Sequence, residues 1–78
     1  MSYEITDVTI SDMEHDWQNE KTTYWFTIEL DGSPEVFGLC DCNGDTQVLD
    51  CEGYPMTEGD HLTVYVRKAI EPIYSQYL

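Results

Sequence analysis

The chain has 78 residues and carries 16 Asp and Glu against 3 Lys and Arg, a formal net charge of -13. That length admits a single domain with a modest core, expected to span residues 1–78 as one acidic unit. Three bases neutralise very few phosphates, which excludes direct nucleic-acid binding, and no apolar run nears the ~20 residues of a membrane helix.

Residues 3–10, YEITDVTI, alternate as a strand does, with a slip between Ile5 and Val8 that predicts a bulge near Thr6 and Asp7. Residues 11–21, SDMEHDWQNEK, are the most polar stretch. Ser11 and Glu14 match a capping box, so the segment reads as a short helical turn or as a loop. Residues 22–30, TTYWFTIEL, hold the strongest strand chemistry, with Tyr24, Phe26 and Ile28 on one face and Trp25 and Thr27 on the other. Asp31 to Pro34 form a turn, residues 35–40 a third strand, Asn43-Gly44 a hairpin turn, and Thr46 to Cys51 a fourth strand.

After Gly53-Tyr54-Pro55 the pattern changes. Leu62, Tyr65, Val66, Ala69, Ile70, Ile73 and Tyr77 recur at helical spacing, against a competing alternation of Leu62, Val64 and Val66. Thr57 and Asp60 resemble a capping box. Glu58 and Asp60 stand where a helix dipole favours acids, and Arg67 and Lys68 where it comes to favour bases. Pro72 kinks or restarts the helix. The expected fold is therefore α+β: a small antiparallel sheet of three to four strands with a C-terminal helix packed on it.

The acidity belongs to the body of the domain. Fifteen of the 16 acids, and among bases only Lys21, fall in residues 1–60. A disordered acidic tail would be poor in aromatic and β-branched residues, whereas this chain is 41% hydrophobic and 13% aromatic. Self-repulsion on this scale costs stability, which halophilic adaptation or a basic partner explains. The candidate partner-binding residues are Asp12, Glu14, Asp16 and Glu20 in the polar stretch, with Trp17 as its apolar anchor. Asp31, Glu35, Asp41, Asp45, Asp50 and Glu52, around the turns between later strands, complete the set. A rigid fold presenting carboxylates as densely as DNA presents phosphates is able to occupy a groove lined by Lys and Arg.

Other chemistry is thinner. Residues 41–52, DCNGDTQVLDCE, follow the ligand spacing of a calcium loop at Asp41, Asn43, Asp45, Gln47 and Glu52, but Thr46 replaces the glycine that such a loop needs. Cys40, Cys42, Cys51 and His61 are zinc-ligand types, although Cys40-x-Cys42 is tighter than the usual pairing. Three cysteines among carboxylates suit neither a disulfide framework nor an activated thiolate. Phosphate-loop, nucleophile-elbow and metalloprotease motifs are missing, so neither an enzyme nor a cofactor is expected. The N-terminus lacks signal-peptide features, and a reducing cytosol is the expected compartment.

In length, acidity, α+β pattern and lack of catalytic motifs, the chain resembles the small phage-encoded anti-CRISPR proteins, type I-C inhibitors among them. That resemblance implies a DNA mimic in the bacterial host cytosol that occludes the DNA-binding site of a CRISPR surveillance complex. The alternatives are an immunity or antitoxin protein neutralising a basic nuclease or toxin, and a calcium-binding or structural phage protein.

Overall fold

Lys21–Leu30 forms β2, an interior strand of a four-stranded antiparallel sheet whose strands lie side by side in chain order. In this computed structural model, which describes residues 3–76, the other strands are β1 (Ile5–Asp16), β3 (Ser33–Cys42) and β4 (Asp45–Leu49). A single helix, α1 (His61–Ser75), packs on one face of the sheet, so the fold is α+β.

The hairpins follow from local chemistry. Asp31 and Gly32, at φ 51° and 83°, join β2 to β3, and Asn43 and Gly44, at φ 53° and 90°, join β3 to β4. Two consecutive left-handed residues make the tight turn whose twist matches antiparallel strands. The first turn is shorter than expected, because Ser33 and Pro34 already pair with Leu30 and Glu29. Pro34 is tolerated there because β4 pairs with β3 only from Gly38 onward, which leaves the proline on an open edge.

β1 departs most from expectation. Residues 11–16 are neither a helical turn nor a loop; they continue the strand to Asp16, which pairs with Lys21. The bulge near Thr6 is present, and a second register shift falls between Ile10 and Asp12. Each shift absorbs one extra residue, so Ile5, Val8, Ile10 and Met13 stand opposite Leu30, Ile28, Phe26 and Tyr24. Directly paired residues share a sheet face. The two bulges thus bring every apolar residue of β1 to the helix side, despite spacings of three that a regular strand would split between faces.

The core lies between sheet and helix. Tyr24, Phe26, Ile28, Phe37, Leu39 and Val48 meet Val66, Ile70 and Tyr74, with Ile5, Val8, Ile10, Leu30, Met56, Leu62 and Ile73 at its margin. Burying each large apolar side chain contributes about 1.5–3 kcal/mol. Thr63, also fully buried, leaves its hydroxyl without a partner.

β4 ends at Leu49, two residues before the expected limit, because Asp50 starts a tight turn in which its Oδ1 accepts from the Glu52 and Tyr54 amides at 2.9 Å each. Cys51 therefore sits in that turn. Asp60 occupies the helix N-cap without a side-chain cap bond, and the first turn of α1 holds no acid and the last no base. The expected capping box and dipole pairing are replaced by tertiary contacts. Arg67 pairs with Glu58 at 2.8 Å and donates to Thr46 Oγ1 at 2.9 Å, tying α1 to β4 and to the segment before the helix. The helix runs through Pro72 and ends with Ser75, so the proline falls in its last turns. Tyr77, the last residue of the helical pattern, lies outside the described residues.

Candidate partner-binding face

Only one side of the sheet is covered by α1. The register places Asp7, Thr9, Asp12, Glu14 and Asp16 of β1 opposite Glu29, Thr27, Trp25, Thr23 and Lys21 of β2, all on the side away from the helix. β3 adds Val36, Gly38, Cys40 and Cys42 to this face, and β4 adds Asp45, Gln47 and Leu49. Lys21 is the one base that the register places on this face.

Asp12, Glu14 and Asp16 form a column at alternate positions of an edge strand, roughly 7 Å apart along the chain. That interval is about twice the ~3.4 Å axial spacing of phosphates on one DNA strand. Asp12 and Glu14 are exposed. Asp16 also organises the β1–β2 connection. Its Oδ2 accepts from the Asn19 side chain at 2.8 Å and its Oδ1 from the Gln18 and Asn19 amides at 3.1 and 3.3 Å. The Asn19 side-chain bond does most to hold this carboxyl below its ordinary value, with those two amides and the nearby Lys21 charge adding to it. An acidic edge with two bulges also discourages edge-to-edge pairing between copies of the chain.

The structure divides the remaining candidates. Glu20 and Trp17 lie in the β1–β2 turn. Trp17 is 84% exposed, and its ring meets His15 edge-on at 4.1 Å between centroids. Asp45 is on the open face, and Asp50 and Glu52 are in the turn after β4.

Asp31, Glu35 and Asp41 do not join this surface. Asp31 sits in the opposite turn, where its Oδ1 accepts from the Glu4 amide at 2.9 Å. Glu35 pairs with Ile28 on the helix side. Asp41 is also on the helix side, where its carboxylate accepts from the Tyr74 hydroxyl and, at 3.0 Å, from the Gly44 amide. Burial chiefly, and then the bond to Asp41, push the Tyr74 hydroxyl up to about 12.

Sequence reasoning missed Asp7, Glu29 and the setting of Trp25. The signal for the first two was the alternation around Thr6, once the bulge is allowed for. The signal for Trp25 was Gly38, its direct partner in the Asp31-Gly32 hairpin.

Residues 41–52 are a hairpin followed by a turn, with Asp41 and Asp50 bonded to backbone amides. Cys40, Cys42 and Cys51 are free thiols, and no group of three or more His, Cys, Asp or Glu converges on one point among the described residues. No helix of the described residues is long and apolar enough to cross a membrane. Comparison with protein-family models, curated proteins and solved structures finds no match to this chain.

Proposed function

We propose that the chain is an inhibitory DNA mimic of the anti-CRISPR kind, acting in a bacterial host cytosol. Its open acidic face occludes the DNA-binding groove of a CRISPR surveillance complex. The observation that carries this reading is the column Asp12, Glu14 and Asp16, extended by Asp7, on an uncovered sheet face with Lys21 as its base. Lys and Arg that grip DNA phosphate would pair with these carboxylates. The field of a body with formal charge -13 would speed the encounter. No catalytic step is involved; binding is the whole activity.

The test is a gel-shift competition. Purified surveillance complexes of several subtypes are given labelled target DNA and increasing amounts of this protein, at low and high salt. Loss of the DNA shift with one subtype is expected, and more protein is needed at high salt because screening shortens the reach of the field from ~10 Å at 0.1 M to ~3 Å at 1 M. Unchanged DNA binding by every complex rules the reading out.

A further inference from the structure

On the open face, a groove of about 410 Å³ is lined by Glu14, Asp16, Lys21, Trp25, Gln47 and Pro55, among others. Its floor is unusual. Gly38 is buried directly beneath the Trp25 ring, and a Cβ at that position would stand 2.9 Å from Cζ3 and 3.1 Å from Cε3. No side chain other than hydrogen lets the indole lie down on the β3 backbone. The far end of the ring rests 3.8 Å from the position a Cβ would take on Gly53. Trp25 is nevertheless only partly buried, so the indole is a seated, partly open aromatic surface at the middle of a charged face.

The indole and the two carboxylates beside it share one preference. Trp25 Nε1 donates to Glu14 Oε2 at 3.3 Å, which holds that carboxylate beside the ring. Asp16 follows two residues along the same face. An aromatic face attracts a cation, and a planar guanidinium both stacks on an indole and pairs with a carboxylate through two N–H groups. An ammonium ion makes only the point-charge part of that contact. Lys21 makes no ion pair among the described residues, where Arg67 supplies both that are found, so no cation is in direct contact with the carboxylates of the groove there.

We infer that this groove is an arginine pocket, in which the partner's guanidinium stacks on Trp25 and pairs with Glu14. The inference rests on the basic-partner reading above and deepens it, because it identifies the side chain that the partner inserts. Lys21 opposes that side chain by charge and sets an upper limit on its affinity.

The experiment is an NMR titration of the ¹⁵N-labelled protein with a short peptide bearing one arginine, and with the same peptide bearing lysine instead. The arginine peptide is expected to move the Trp25 indole N–H saturably, and the lysine peptide to bind roughly three- to tenfold more weakly. Glu14→Gln, close in shape, weakens the arginine peptide about tenfold, while Lys21→Gln tightens it severalfold. Equal affinity for the two peptides, or a response confined to the Trp17 indole, overturns the pocket. The Glu14→Gln protein is then put through the DNA competition. If it is folded and competes as well as the parent, the pocket is not what the partner uses, and the acidic-face reading stands without it. If the arginine peptide binds as expected while no surveillance complex is inhibited, the pocket stands and the anti-CRISPR reading falls.

Discussion

Tyr74 illustrates how single residues join the two layers. It is 7% exposed, its ring meets Tyr24 edge-on at 5.1 Å, and its hydroxyl donates to Asp41 on β3. Because the folded state raises this hydroxyl from 10.0 to about 12, it holds its proton where the unfolded chain would lose it. The associated stability is complete below pH 10 and is lost as the pH rises toward 12, amounting to about 2–3 kcal/mol at ~1.4 kcal/mol per pH unit. Urea unfolding across that window is expected to show a steeper loss for the parent than for Tyr74→Phe. Parallel curves would mean that Tyr74 ionises as freely in the folded protein as in the unfolded one.

Among the elements, β1 decides which surface the protein presents. Its bulged residues Thr6 and Ser11 let a sequence with apolar spacings of three lie with Ile5, Val8, Ile10 and Met13 on one side and the carboxylates on the other. Deleting Ser11 should therefore leave a regular strand with both faces intact. The expected cost is about 1 kcal/mol, from losing its 3.3 Å hydroxyl bond to the Trp25 carbonyl. Deleting Thr9 instead forces Val8 or Ile10 out of the core, at about 1.5–3 kcal/mol. Equal losses for the two deletions in chemical denaturation would contradict this assignment of the bulge.

The same strand shows where the sequence was legible and where it was not. β2, with its three buried rings and aliphatics at alternate positions, and the Asn43-Gly44 turn are both readable because local preference and tertiary burial agree. The helix was readable from Val66, Ile70 and their neighbours, although Thr63 and Tyr74 also turn inward and the cap chemistry at Thr57 is unused. Residues 11–16 were misread because the helix does not cover that end of β1. Met13 is 57% exposed and His15 is exposed, so the burial that marks a strand is weak there, while Ser11 and Glu14 imitate a helix start by chance. The division of the carboxylates between faces was illegible for the same reason, since a one-residue bulge reverses every side chain after it.

For the molecule as a whole, charge and architecture point one way. The helix and half of the sheet consume nearly all the core-forming residues, and Arg67 is taken up by contacts within the fold. What remains is a face that the helix leaves free, whose acids face Lys21 alone, centred on a seated tryptophan. Asp16, Asp41 and Asp50 accept from amides of their own turns, and Asp31 from the Glu4 amide before β1, so these four hold connections together and make poor targets for mutation. The central claim is best tested on carboxylates that lie outside those turns. A triple variant with Asp7, Asp12 and Glu14 changed to Lys, its fold checked by circular dichroism and hydrogen exchange, would be compared with the parent in the DNA competition. Displacement of DNA is expected to weaken by at least about a hundredfold, because attraction to the basic groove is replaced by repulsion. A folded variant that displaces DNA as well as the parent would contradict a role for the open acidic face.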